Sequence, residues 1–374
     1  MKKILIITDI QHATPRIPGI LKYLPRYGYD PILVSPSQPQ EMQYFGGKRI
    51  SLPVWASTVA QTGYLLYCSF FNFPDEMKYQ FESLLGEARH IIRHEKIHAI
   101  VSSSSPVSSH IIARKLKLEF GLPWVVDLRD LWSQNHNYPY GRWRLQRDTE
   151  LEMKTLSDAD ALVTTNEGFA KKLKTRYNHK PVFTITNGYD PLIQVPTPLT
   201  QRFSITYTGQ IYNGKQDIGL FEQALKELIQ SGTIAGDDID LRIFDPQRGT
   251  TIPRKEVVPR QRESQVLLYL NWITANEGVF ATKLFEYLGA GRPILAVGGE
   301  EGDAVQEILF RTNAGIYATT LYDVKATLEK FYKEYKQTGS VTYHGIPEEI
   351  QKYSFIEITR QFAEVISQKE SPEK

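Results

Sequence analysis

The amino-acid sequence predicts an α/β protein made of two doubly wound domains, each built around a parallel sheet. Short β-branched runs alternate with segments of helical periodicity along nearly the whole chain, which is typical of βαβ units. The chain has 374 residues, more than a single core of ordinary size accommodates. A proline-rich stretch near residue 190 separates two such patterns. We therefore expect two domains with separate cores.

The first domain is expected over residues 1–190. Its strands are predicted at residues 4–8, 31–35, 98–102, 124–127, 161–164 and 182–186. The opening residues resemble a signal peptide, but Thr8 and Asp9 end the apolar run too early, so we assign this run to the first strand. Each strand leads into a polar or glycine-containing turn, as at the ligand-binding edge of a doubly wound sheet.

A linker over residues 191–201 precedes a second sheet domain, expected over residues 202–345. Its strands are predicted at residues 203–207, 240–244, 266–270, 293–297 and 315–317. Ser354 and Glu357 form a capping box for a last helix, and residues 346–374 are expected to pack back toward the first domain. Two doubly wound domains are expected to face each other across a cleft, where such sheets bind ligands.

Composition excludes several classes of function. Lys and Arg total 44 against 42 Asp and Glu, so a net charge of +2 gives no reason to expect a nucleic-acid partner. A single cysteine, Cys68, favours a reducing, cytoplasmic setting. The glycine patterns of dinucleotide-binding and P-loop proteins are absent from the sequence, and its histidines show no zinc-ligand spacing. We predict neither a metal site nor a cofactor.

The most informative segment is residues 282–295, which predicts a helix, a glycine-rich end and a strand. Lys283 and Glu286 lie one turn apart at the start of this helix. They are either a solvated surface ion pair or part of a binding site. A second segment, residues 207–215, follows the first strand of the same domain and contains Gly209, Gly214 and Lys215. Together the two segments supply phosphate donors and a carboxylate for a ribose diol, which indicates a nucleotide-diphosphate site.

These segments, with residues 185–190, resemble the corresponding parts of family-4 glycosyltransferases. In the first domain, residues 104–106 and 127–132 resemble a bacterial subgroup that builds surface polysaccharides. The resemblance spans most of the chain. It implies the GT-B fold, in which two Rossmann-like domains face each other, and a nucleotide-sugar donor as substrate.

By this resemblance Glu286 matches the second carboxylate of the Glu-x7-Glu motif, which holds the donor ribose. The first carboxylate is expected at position 278, where this chain has Gly278, preceded by Glu277. Gln210 stands where relatives usually have an arginine, and Lys215 matches the phosphate-binding lysine with a shortened spacing. Lys283 is expected to supply the missing cation. Gly298 and Gly299 match a glycine pair near the donor sugar and phosphates, although turn chemistry alone also explains two glycines.

In the first domain Arg129 occupies the place of a histidine found in many relatives. One interpretation puts Arg129 and Asp130 around the reacting sugar, with Arg129 binding anions or orienting the acceptor, since its pKa is too high for a base. In the other, Asp127 caps a helix while Arg129 and Asp130 pair for structure. Arg16 resembles the loop residue that reaches the donor, with a surface arginine as the alternative.

The sequence thus predicts a glycosyltransferase that moves a sugar from a UDP-linked donor to a hydroxyl of a glycan or lipid-linked saccharide. The resemblance implies retention at the anomeric carbon, and Lys215 and Lys283 are expected to stabilise the departing diphosphate without a metal ion. A nucleotide-sugar epimerase or hydrolase, or a non-catalytic two-lobed binding protein, are the alternatives. The aromatic stretch at residues 64–73 is expected to be a buried helix or a patch for peripheral membrane contact.

Overall fold

Two parallel sheets organise the chain in the computed structural model, which describes residues 1–13, 15–37, 49–50, 73–135, 141–192, 197–212, 214–273 and 281–369. Unit 1 consists of Met1–Thr186 and Phe355–Lys374, and unit 2 of Asn187–Ser354. Each unit has one parallel sheet with helices packed on it. The predicted α/β class with two doubly wound sheets is confirmed.

Unit 1 contains a seven-stranded sheet of order β3-β2-β1-β4-β5-β6-β7. Its strands are β1 (Lys2–Ile7), β2 (Tyr29–Val34), β3 (Arg49–Ile50), β4 (Ile97–Ser104), β5 (Trp124–Leu128), β6 (Ala161–Thr164) and β7 (Val182–Thr184). Its helices are α1 (Arg16–Tyr23), α2 (Lys78–His94), α3 (Ser108–Phe120), α4 (Arg142–Leu156), α5 (Glu167–Arg176) and, after unit 2, α12 (Phe355–Lys369). The strand order reverses at β1, so the loops after β1 and β4 diverge at the carboxyl edge, where doubly wound sheets bind ligands.

The last helix, α12, is part of the unit 1 core although it follows unit 2 in the chain. Its apolar face joins the same hydrophobic cluster as α1 and strands β1 and β4. Gly19 in α1 permits this packing, because a Cβ at that position would overlap the ring of Phe355. The hydroxyl of Tyr27 also donates to the Ile356 carbonyl at 2.8 Å. The chain therefore returns to unit 1 after completing unit 2.

Unit 2 contains a five-stranded sheet of order β12-β11-β10-β8-β9. Its strands are β8 (Phe203–Thr208), β9 (Ile239–Phe244), β10 (Val266–Leu270), β11 (Ile294–Val297) and β12 (Gly315–Ala318). Its helices are α6 (Gly219–Gln230), α7 (Arg254–Arg262), α8 (Lys283–Ala290), α9 (Ala304–Thr312), α10 (Leu321–Thr338) and α11 (Pro347–Gln351). One apolar cluster lies under α6 and α10, and another under α8 and α9. The helices starting after β9 and β10, α7 and α8, present their first turns at the carboxyl edge of the sheet.

The described part of the chain holds no helix both long and apolar enough to cross a bilayer.

Candidate active site

In unit 2, the turn after β8 and the first residue of α8 meet. The ammonium of Lys283 lies over the ring of Tyr207, 3.9 Å from its centroid, and donates to the Tyr207 hydroxyl. It also donates to the Gln210 carbonyl at 3.4 Å. Gly209 has φ +106°, and a Cβ there would lie 3.3 Å from the lysine nitrogen. The structure thus brings together Lys283, Gly209 and Gln210, which the sequence analysis placed in one site.

Within the described residues, Lys283 forms no ion pair with a carboxylate. Burial lowers its pKa from 10.5 to about 7, and the charges of Glu286 and Asp245 oppose this shift only in part. Among the residues described in unit 2, no carboxylate forms an ion pair with the ammonium, whose hydrogen bonds go to neutral oxygens. A bound anion would supply the missing charge and raise the pKa again.

Glu286 pairs with an arginine that the sequence analysis did not single out. Its carboxylate accepts a hydrogen bond from the guanidinium of Arg254, the first residue of α7. Burial lowers the pKa of Arg254, but the charge of Glu286 and its hydrogen bond together outweigh burial, so the net pKa is raised. The expected alternative, a surface ion pair between Lys283 and Glu286, is not what the structure shows for these two side chains. A signal was present in the sequence, since Arg254 starts the helix after β9 much as Lys283 starts the helix after β10.

Hydrogen bonds hold α7 and α8 against the end of β8. The Thr208 amide donates to the Tyr287 hydroxyl at 3.0 Å, which ties α8 to the strand. The Gln261 side chain donates to the Thr208 hydroxyl at 2.9 Å, and Arg262 donates to the Gly289 carbonyl at 3.1 Å. These contacts are buried or partly buried, so the spacing between the first turns of the two helices is determined by packing.

Lys215 occupies a different environment from Lys283. It is exposed, and its backbone is held because the Ile273 amide donates to its carbonyl at 2.8 Å. The same loop carries Tyr212, whose ring stacks on Trp272 with centroids 5.3 Å apart. The stacked pair fastens the loop after β8 to the residues after β10. Lys215 is therefore an exposed residue on an anchored loop.

Gly298 and Gly299 follow β11 and both have positive φ, +82° and +83°. A Cβ at Gly299 would overlap the side chains of Asn271 and Tyr317, which cluster with Asp303. Asp303 also caps α9, accepting from the Gln306 amide at 2.9 Å. Turn geometry and this close approach are enough to require glycine at position 299.

In unit 1, Arg16 is a core residue rather than a surface one. It is 1 % exposed, and its guanidinium binds Asp127 in a forked arrangement, with Nη2 2.8 Å from Oδ1 and Nε 3.1 Å from Oδ2. Nη1 donates to the Thr186 carbonyl at 2.5 Å. Asp127 accepts further from Ser103 at 2.7 Å. Both alternatives for Asp127 and Arg16 are thereby corrected: Asp127 anchors Arg16 instead of capping a helix, and Arg16 is not on the surface.

Arg129 does not pair with Asp130. Its guanidinium donates to two backbone carbonyls, those of His12 and, at 2.6 Å, Ser105. Burial lowers its pKa, while the charges of Asp127 and Asp130 act in the opposite direction. Asp130 is exposed. The Arg129 guanidinium therefore connects the loop after β5 to the loops after β1 and β4 by hydrogen bonds.

His12, a residue that was not expected at the site, lies beside Arg129. Its imidazole bonds to the fully buried carboxylate of Asp9, directly after β1. This hydrogen bond raises the pKa of His12, with burial opposing. Burial pushes the pKa of Asp9 upward, but its contacts with His12 and Ser37 lower it overall. An acid and a histidine three residues apart after the first strand were a usable signal.

Some predicted features lie outside the described residues. These are Glu277 and Gly278, expected at the first motif carboxylate, and residues 64–72 of the aromatic stretch. The described residues contain no cluster of three or more histidine, cysteine or acidic side chains suited to a metal ion.

Residues 13–188 match the family model described as a glycosyl transferase 4-like domain. A sucrose-phosphate synthase from Thermosynechococcus elongatus superposes with a TM-score of 0.62 at 11% identity, covering 98% of this chain and 99% of its own. HepE from Anabaena, solved in complex with UDP and glucose, has a TM-score of 0.59 at 11% identity and covers 98% and 100%. WaaG, a glycosyltransferase involved in lipopolysaccharide biosynthesis, has a TM-score of 0.56 at 13% identity, with coverage of 98% and 100%. No curated protein sequence matches this chain.

The two-sheet fold is that of GT-B glycosyltransferases. Residues 13–188 carry a glycosyl transferase 4-like domain, so the resemblance stated from the sequence is confirmed for this part of the chain.

Proposed function

We propose that this glycosyltransferase moves a sugar from a UDP-linked donor to a hydroxyl of a glycan or lipid-linked saccharide. The anomeric configuration is retained and no metal ion takes part. The fold is shared with HepE, whose structure contains UDP and glucose, and with WaaG, which is involved in lipopolysaccharide biosynthesis. Those observations concern the other proteins and support the choice of donor and acceptor here.

The observation that carries the proposal is the charge of Lys283, which no carboxylate of the described residues pairs with directly. Its ammonium is held by Tyr207 and the Gln210 carbonyl, next to the backbone of Gly209. In this proposal the donor diphosphate binds there, and the glycine allows a phosphate to approach the main chain. The exposed Lys215 adds a second cation from the anchored loop, and the turn at Gly298 and Gly299 adds backbone donors.

Glu286 then accepts hydrogen bonds from the ribose hydroxyls. It lies on α8 one turn after Lys283, so the ribose and the diphosphate bind along the same helix start. A carboxylate is suited to this role because both of its oxygens accept hydrogen bonds and a diol presents two donors.

The chemical barrier is departure of the diphosphate from the anomeric carbon. The cations and amides that bind the donor become more stabilising as negative charge develops on the leaving oxygen, because they are already in position. The leaving phosphate oxygen takes the proton of the acceptor hydroxyl, which attacks the same face of the sugar. No side chain is needed as a base, and Arg129 and Asp130 of unit 1 orient the acceptor.

Ligand binding tests the proposed site. We expect UDP to raise the unfolding temperature of the purified protein and to bind measurably by calorimetry, since a ligand of the native state stabilises it by mass action. Lys283→Met and Glu286→Gln should each weaken UDP binding by about 10- to 100-fold, as expected for loss of a charge-assisted hydrogen bond. Lys325→Met is the matched control, because this lysine pairs with Glu227 at 2.9 Å on the surface of the same unit. Equal UDP affinity in all four proteins would overturn the site assignment.

An activity assay distinguishes sugar transfer from epimerisation and hydrolysis. The protein is incubated with UDP-sugars, with and without lipid-linked and free saccharide acceptors, and products are followed by mass spectrometry and NMR. Transfer that needs an acceptor, gives a product of unchanged anomeric configuration and persists in EDTA supports the proposal. Epimerisation or hydrolysis as the main reaction in the presence of every acceptor would favour the alternative enzyme class.

A further inference from the structure

We propose that Arg254 is a positioning residue for the donor nucleoside. It holds one oxygen of the Glu286 carboxylate and leaves the other oxygen for the ribose hydroxyls. This inference rests on the proposed function, since it takes Glu286 as the group that binds the ribose.

One hydrogen bond joins Arg254 to Glu286. Nη2 of Arg254 bonds to Oε1 of Glu286. Within the described part of unit 2, the second oxygen, Oε2, has no hydrogen-bond partner. The arginine therefore holds the carboxylate through one oxygen and leaves half of its accepting capacity for a ligand.

The side chains of Glu286 and Arg254 differ in their exposure to water. The side chain of Glu286 is only 12% exposed, whereas that of Arg254 is 53% exposed. A carboxylate with so little access to water is costly unless a cation neutralises it, and the cost rises when a ribose covers it further. The nearby Lys283 does not serve here, because its ammonium is directed to Tyr207 and Gln210.

Arg254 lies on a helix that hydrogen bonds hold in place. Arg254 starts α7, and α7 is bonded to β8 through Gln261 and to the end of α8 through Arg262. The guanidinium therefore extends from a helix whose place relative to Glu286 is determined by packing. A planar guanidinium on such a support restricts the orientation of the carboxylate more than a flexible ammonium does.

A double-mutant design tests whether Arg254 acts through the ribose contact. Dissociation constants of UDP and of 2′,3′-dideoxy-UDP are measured by calorimetry for the wild type, Arg254→Met, Glu286→Gln and the double variant. The ratio of the two constants is the ribose penalty. We expect a penalty of about tenfold or more in the wild type, as for hydrogen bonds to a charged group, and about threefold or less in each variant. The double variant should lose no more than either single variant.

Two controls isolate the effect. Arg248→Met removes an exposed arginine of the same unit that pairs with Glu222 at 3.0 Å, and it should keep the wild-type penalty. Arg254→Lys keeps the charge without the planar fork, and it should give an intermediate penalty. Unfolding of the UDP-free variants shows that each protein is folded before binding is compared.

The outcomes separate this inference from the function on which it rests. UDP binding with an unchanged ribose penalty in Arg254→Met, or with no penalty in the wild type, overturns the positioning role and leaves the UDP site standing. Tighter UDP binding by Arg254→Met also overturns it, because the arginine would then be blocking the carboxylate. A wild-type protein that binds neither ligand refutes the UDP site itself, and the positioning role with it.

Discussion

Arg16 in unit 1 is a buried cation and Lys283 in unit 2 a partly buried one, both near the carboxyl ends of parallel strands, but their surroundings differ. Arg16 is 1 % exposed and forms a forked ion pair with Asp127. Lys283 has two neutral oxygens and an aromatic face as partners. A compensated charge is complete without a ligand, whereas an uncompensated one is stabilised when an anion binds. The comparison distinguishes a structural arginine from a candidate binding lysine.

Two other arginines of unit 1 follow the pattern of Arg16, one of them buried and one partly buried. Arg144 pairs with Asp148 at 3.1 Å, and Arg176 pairs with Glu152 at 3.0 Å. In each pair the carboxylate is buried as well. Arg129, in the described part of the same unit, departs from this pattern, because its hydrogen bonds go to the carbonyls of His12 and Ser105. By the same reasoning, Arg129 is the residue of unit 1 best suited to meet an anionic or polar group of a substrate.

The largest effect on the free energy of unfolding is expected from breaking the ion pair between Arg16 and Asp127. Arg16→Met leaves the Asp127 carboxylate buried without its cation, and it should lower the free energy of unfolding of unit 1 by about 3–5 kcal/mol. Urea denaturation followed by circular dichroism measures the loss. The double variant Arg16→Met with Asp127→Leu should recover part of the stability, because no buried charge is then left alone. A loss below about 1 kcal/mol in the single variant, as at a surface ion pair, would contradict the comparison.

A change of opposite sign is expected at Lys283. Lys283→Met removes a buried charge while the Tyr207 hydroxyl keeps its bond to the Gln210 carbonyl at 3.0 Å. The UDP-free variant should therefore be more stable than the wild type at pH 6 by about 1–4 kcal/mol, as for other buried ionic groups replaced by apolar ones. Its unfolding midpoint should rise by about 2–4 °C per kcal/mol.

The pH dependence of this stabilisation follows from the lowered pKa of Lys283. Between pH 7 and 10.5 the unfolded chain holds the proton and the folded protein does not, so the wild type gains stability from this group as pH rises. The advantage of Lys283→Met should shrink over that range. A variant less stable than the wild type at pH 6 would show that the ammonium is well solvated in the folded protein.

The smallest effect concerns UDP affinity as a function of pH. The Lys283 amine, with a pKa of about 7, binds a diphosphate in its charged form, so the contribution of this residue to affinity should fall as pH rises above 7. Lys283→Arg keeps its charge throughout and serves as the reference, because it cancels the titration of UDP itself. The ratio of wild-type to variant affinity, measured by calorimetry from pH 6 to 9, should decline by up to about tenfold per pH unit. A constant ratio would mean that Lys283 stays protonated from pH 6 to 9. Its pKa would then not be lowered, and Lys283 would not differ from Arg16 in this respect.

The parts of the site that could be predicted from sequence lie on continuous segments with a recognisable local pattern. The turn at Gly209 and Gln210 and the helix start at Lys283 and Glu286 are of this kind, and parallel strands bring such segments to one edge of a sheet. Arg254 and His12 were missed although Arg254 starts a helix and His12 follows an acid by three residues, because such local signals do not show which side chains meet in space. The contact of Arg254 with Glu286 exists only after α7 and α8 have packed on the sheet.

Arg16 illustrates the limit of the same reasoning. Its partner Asp127 lies on the fifth strand of the chain, far from Arg16 in sequence. The residues next to Arg16 do not show whether its side chain will be buried or exposed. The resemblance placed Arg16 in a loop near the donor, while the structure buries its side chain against Asp127 and Thr186.

The sequence by itself determined the α/β class, the two sheets and most strands, because backbone preference and hydrophobic period act over neighbouring residues. Short motifs on continuous segments gave the resemblance to glycosyltransferases. Only the tertiary structure decided which of the described cations are paired with a carboxylate and which are not. Charge compensation depends on side chains that are distant in the chain and a few ångströms apart in space, and those distances are set by packing.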